Sequence, residues 1–81
     1  MKLPRNESGE SLTIKLSKVG YFKTRQKGSH IRLTNVDLEG KHHITIPNHN
    51  PIKIGTLSRI LLEVASRLEI SKDELLKRIE S

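Results

Sequence analysis

The sequence predicts an α+β fold in which helices cover one face of a three-stranded antiparallel sheet. Apolar residues recur at helical spacing near both ends of the chain, while the middle alternates apolar and polar positions as strands do. The alternating segments are separated by turn residues, Gly28-Ser29 and a stretch holding Asp37 and Gly40. The length, 81 residues, leaves room for one layer of helix on one sheet, because a chain this short buries only about 60–65% of its unfolded surface.

Residues 1–7 carry Pro4 and mixed charge without periodicity and read as a loose N-terminal arm to a single domain whose core is 8–79. Ser8 is placed to cap a helix, with Glu10 against the positive end of the dipole. Leu12, Leu16 and Val19 follow at i, i+4 and i+7, and Gly20 stands where a left-handed residue would end the helix. The same segment also alternates, with Leu12, Ile14 and Leu16 set between Thr13, Lys15 and Ser17. The cap and the terminal glycine favour helix, leaving Ile14 as the misfit.

Tyr21–Arg25 is rich in β-formers and begins directly after that glycine. Gly28-Ser29 turns the chain into a second strand, His30–Thr34, with Ile31 and Leu33 on one face and His30, Arg32 and Thr34 on the other. Asn35–Lys41 reads as a hairpin loop. A third strand, His42–Ile46, stops at Pro47 and turns Ile44 and Ile46 to the core, so that His43 and Thr45 point the same way as His30.

Pro47–Pro51 is a turn cluster. Thr56 is the expected cap of the next helix, in which Leu57, Leu61, Val64 and Leu68 form a stripe supported by Ile60 and Ala65. Arg59, Glu63 and Arg67 mark its wet side, with Glu63 and Arg67 in the favourable i, i+4 order. Ser71 and Glu74 have capping-box spacing and open a short extra C-terminal helix buried through Leu75, Leu76 and Ile79.

Charge narrows the partners. Fifteen Lys and Arg against nine Asp and Glu give a net charge of +6, which draws polyanions: nucleic acid, an anionic membrane surface or an acidic protein. Lys15, Lys18, Lys23, Arg25, Lys27, Arg32 and Lys41 gather toward the first half, whereas most acids lie at the start or in the last 20 residues. With no cysteine there is no disulfide and no thiolate metal site. No apolar run resembles a signal peptide or a membrane span, so the expectation is a cytoplasmic protein with no membrane partner. Tyr21 and Phe22 are the only aromatic residues besides histidine. Nucleic-acid binding is therefore expected to be dominated by the phosphate backbone and sensitive to salt.

The chemistry concentrates in Arg25-Gln26-Lys27-Gly28-Ser29-His30, followed by Ile31-Arg32. A hairpin tip here sets an imidazole, a group suited to taking or giving a proton, in a positive field. Ser29 reads as a turn residue, since no Asp–His relay leads to it. His30, His42, His43 and His49 have spacing unlike a helical zinc pair and no cysteine assists them, so no metal is assigned.

That hexapeptide, the segment Ile44-Thr45-Ile46-Pro47-Asn48-His49, and Gly55-Thr56-Leu57 followed by Arg59-Ile60-Leu61 resemble the HicA family of toxins. Ser8-Gly9-Glu10 and Gly20-Tyr21 extend the resemblance to about Ser8–Ile79. It implies a double-stranded-RNA-binding-domain-like fold and a ribosome-independent mRNA interferase of a type II toxin–antitoxin system, held inactive by a HicB-like antitoxin. The family's active histidine, in its Gly-Ser-His motif, corresponds to His30.

Cleavage of RNA by its own 2′-hydroxyl needs a base, an acid and positive charge near the phosphorane, and it needs no cofactor. His30 suits base or acid. Arg25, Lys27 and Arg32 suit charge stabilisation, and backbone N–H groups around Gly28 and Ser29 suit a phosphate cradle. His43 is a candidate RNA-facing group, and His43 or Lys27 is the candidate second proton carrier. The alternatives are a non-catalytic double-stranded-RNA or nucleic-acid-binding module of the same fold, and a regulator acting only through its protein partner.

Overall fold

The computed structural model describes residues 6–37 and 40–80. The chain runs α1 (Gly9–Leu16), a 3-10 turn (Ser17–Val19), β1 (Phe22–Lys27), β2 (His30–Asp37), β3 (Gly40–Pro47), α2 (Ile54–Leu68) and α3 (Lys72–Glu80). This is the expected α+β order with its extra C-terminal helix. The strands form one antiparallel sheet in the order β1-β2-β3.

Of the arm expected over residues 1–7, residues 1–5 lie outside the described residues. Glu7 is 4% exposed. Its carboxylate meets Ser11 Oγ and takes an ion pair from Lys15 Nζ at 2.7 Å, and Lys15 continues to Glu80 at 2.8 Å. Glu7 is thereby tied to α1 and, through Lys15, to the end of α3.

Ser8 caps α1 in a reciprocal box: its Oγ accepts from the Ser11 N–H at 3.0 Å while Ser11 Oγ accepts from the Ser8 N–H at 3.0 Å. The helical period wins over the alternating one, for Leu12 and Leu16 are buried and Ile14 is 68% exposed. The 3-10 turn ends at Gly20, with φ 91.

Ile31, Leu33, Ile44 and Ile46 turn to one side of the sheet and pack with Leu12 and Leu16 of α1, Leu57, Leu61 and Val64 of α2, and Leu75 and Ile79 of α3 in one core. The expected Asn35–Lys41 loop is mostly strand, because the ladder continues through Asn35↔His42, Val36↔Lys41 and Asp37↔Gly40. Residues 38 and 39, which complete that connection, lie outside the described residues. Asn35 has turn propensity, but its buried amide donates to the Gly20 carbonyl at 3.0 Å, and Arg67 grips Asp37 Oδ1 at 2.9 Å and the Gly40 carbonyl at 3.2 Å. Tertiary partners therefore extend the hairpin beyond what local propensity indicates.

α2 begins at Ile54 with Lys53 as its cap residue, not at the expected Thr56. Buried Ile52 anchors the approach, and the Leu57 N–H already reaches the Lys53 carbonyl at 2.9 Å. The expected Glu63–Arg67 pair is not made: Glu63 meets His42 and Arg59, and Arg67 is drawn to Asp37. Ser71 caps α3 as expected, its Oγ accepting from the Glu74 N–H at 3.0 Å.

Candidate functional site

The candidate site is the uncovered face of the sheet. Directly paired residues of adjacent strands point to the same face, so the register orders this face in rows. Lys27, His30 and Pro47 form the row nearest the β1–β2 turn, and Arg25, Arg32 and Thr45 form the next on this face. Beyond them come Phe22, Thr34 and His43, then Val36 and Lys41.

A two-residue turn sets the first row. Gly28 has φ 57, and a Cβ there would meet no atom within 4 Å, so the backbone conformation rather than packing calls for glycine. The tip is also held from outside, since the Asn48 N–H donates to the Ser29 carbonyl at 2.7 Å. Asn48 lies in a segment pressed on α1, where Gly9 donates to the His49 carbonyl at 3.0 Å. A Cβ on Gly9 would fall 2.7 Å from the Pro47 carbonyl oxygen. The chain between β3 and α2 thus fixes where His30 is presented.

The structure brings exposed Arg25, Lys27 and His30 together with half-buried Arg32 on one patch, with Gly28 and Ser29 at its tip. Arg25 and Arg32 stand directly opposite each other, and none of Arg25, Lys27, Arg32 and Lys41 has a carboxylate partner among the described residues. Opposed like charges cost a few tenths of a kcal/mol in a sheet. A bound anion removes that cost.

His43 shares the face but not the row. It lies across from Thr34, four residues along β2 from His30, or about 13 Å of strand. Its Nδ1 is 2.9 Å from Thr34 Oγ1, which in turn lies 2.8 Å from Thr24 Oγ1. Thr24 reaches that position because β1 carries a bulge between Lys23 and Arg25. Desolvation first, then Arg32, Lys41 and His42, lowers the His43 pKa below its ordinary value, which favours a neutral imidazole. Lys27, rather than His43, stands beside His30. Thr24, Arg25, Arg32, Thr34, Val36, Lys41 and His43 line a shallow trough of about 340 Å³.

His42 and His49 leave the site. The His42 ring turns to the core face, with Nδ1 2.6 Å from Tyr21 Oη and Nε2 3.3 Å from Glu63. His49 contributes its carbonyl to Gly9. Among the described residues no group of His, Cys, Asp and Glu is arranged to hold a metal ion. Sequence reasoning missed Thr24 and Thr34, which hold His43, and Asn48, which holds the turn. Their partners are distant in sequence or depend on a bulge, and no local pattern signals either.

The family model described as HicA toxin of bacterial toxin-antitoxin matches residues 10–65. The chain belongs to the HicA toxin family. It is thus the toxin of a toxin–antitoxin pair. The match spans the hairpin that presents His30, the rest of the sheet and most of α2, so the HicA region contains every row described above. No curated protein and no solved structure matches the chain. Within this HicA chain no described helix is long and apolar enough to cross a membrane.

Proposed function

We propose that this HicA-family toxin is a metal-independent endoribonuclease acting on mRNA in the cytoplasm, with His30 as its general acid–base group and residues 8–79 as its single domain. The observation that carries the reading is the position of His30, across the turn from Lys27 and beside the opposed Arg25–Arg32 pair on a face without carboxylates among its described residues. A phosphodiester laid on that face meets positive charge beside the imidazole, from Lys27 in its own row and from Arg25 and Arg32 in the next.

The reaction follows from those groups. The imidazole of His30 takes the 2′-hydroxyl proton as the 2′-oxygen bonds to phosphorus, the P–O5′ bond breaks, and the departing 5′-oxygen receives a proton from Lys27 or from water. The products are a 2′,3′-cyclic phosphate and a 5′-hydroxyl end. Arg25 and Arg32 offset charge on the phosphorane, and backbone N–H groups at Gly28 and Ser29 approach its oxygens. A HicB-like antitoxin silences the toxin, and the exposed cationic face suits an acidic surface on that partner.

The test is cleavage of a defined RNA by the purified chain in EDTA, with analysis of the product ends. The reading expects cyclic phosphate ends and no cutting where the scissile nucleotide lacks its 2′-hydroxyl. RNA bound but left intact by the folded chain would leave a nucleic-acid-binding module instead.

A further inference from the structure

The uncovered sheet face carries one feature that phosphate chemistry does not use. Phe22, the only phenylalanine in the chain, is 59% exposed, and its pairing with Thr34 sets it on the same face as His30, Arg32 and His43. Val36, 65% exposed, lies two residues further along β2 on that face. Two large apolar side chains are thus left in water at the end of the face away from the turn, with Arg25 and Arg32 between them and His30. Folding alone gives no return for exposing Phe22, since Ile31 and Leu33 already fill the core side of β2.

We propose that Phe22 is a base-stacking platform, and that the face takes a single-stranded stretch of RNA running along β2 from His30 toward Val36. The proposal deepens the ribonuclease reading and rests on it for the identity of the RNA. Charge complementarity selects the occupant: Arg25, Arg32 and Lys41 bracket the trough and lack ion-pair partners among the described residues. A strand whose phosphates lie on the guanidiniums can turn one base onto the Phe22 ring. A paired base is stacked within its own helix and has no free face to offer, so the stretch over Phe22 must be unpaired.

The test measures affinity for a short single-stranded RNA carrying 2-aminopurine, using the wild-type chain, Phe22→Ala and Phe22→Tyr, with a duplex of the same sequence as reference. Thermal melts of the three proteins establish folding. The expected result is a loss of about 5-fold to 100-fold in single-strand affinity for Phe22→Ala, recovery in Phe22→Tyr, 2-aminopurine quenching that disappears with the ring, and no effect on the duplex. Unchanged affinity and quenching in Phe22→Ala would overturn the proposal. So would a chain that binds no RNA, as when the apolar end of the face serves only the antitoxin. Phe22-dependent binding without cleavage keeps the platform and removes the nuclease reading, whereas cleavage with Phe22-independent binding does the reverse.

Discussion

The backbone N–H of Asn48 donates to the carbonyl of Ser29 at 2.7 Å, so the turn that presents His30 is fastened to the segment leaving β3. That segment is in turn seated on Gly9, where no side chain fits. The presentation of the imidazole therefore depends on the first turn of α1 as well as on the hairpin itself.

Gly9→Ala tests this dependence. Its Cβ would meet backbone atoms at 2.7 and 2.8 Å, contacts that must be relieved by moving the chain. The expected loss is about 1–3 kcal/mol of stability in urea denaturation, together with reduced cleavage by the fraction that remains folded. Wild-type stability would show that the segment shifts freely.

Gly28→Ala acts on the turn alone. With φ at 57 and open space around it, the added methyl group costs about 1 kcal/mol through backbone strain. For a domain of this size that lowers Tm by roughly 4–8 °C. Calorimetry checks it.

The opposed arginines set the salt response. Arg32→Gln should weaken RNA binding across sequences and reduce the slope of log affinity against log salt by about one, as expected when one phosphate contact is lost. Titrations at several salt concentrations read this directly. An unchanged slope would take Arg32 off the RNA.

The single tyrosine gives a clean alkaline signal. Burial, opposed by Arg67 and aided by Glu63 and Asp37, pushes the Tyr21 phenol up to about 12. Lys15 is also raised above 10.5: burial opposes the shift, and bonds to Glu7 and Glu80 outweigh it. Both groups hold their protons more tightly in the folded chain. The stability that Tyr21 contributes is full below about pH 10, the ordinary tyrosine value, and is lost as pH rises through about 12. Absorbance at 295 nm should show tyrosinate forming near pH 12 in the native chain and near pH 10 in denaturant. Tyr21→Phe should flatten the alkaline fall in stability.

Period and punctuation made most of the fold legible. The Ser8 and Ser71 caps, Gly20, the Leu57–Val64 stripe and the alternation around Ile31 and Ile44 all act locally, and each appears where expected. Departures arise where tertiary contacts outweigh local preference: Arg67 and Asn35 lengthen the second hairpin, and buried Ile52 starts α2 before Thr56. The site divides the same way. The grouping of His30, Lys27, Arg25 and Arg32 follows from one turn and strict alternation, but the bulge that brings Thr24 to Thr34 and His43, and the hold of Asn48 on Ser29, depend on contacts that no spacing rule contains.

The most direct test of the account compares the wild-type chain with His30→Ala at equal concentration on the same RNA in EDTA, with RNA affinity measured in parallel. Cleavage should fall at least about 100-fold, as for loss of a general acid–base group, while folding and affinity stay close to wild type. Cleavage that persists in His30→Ala would contradict the general acid–base role of His30.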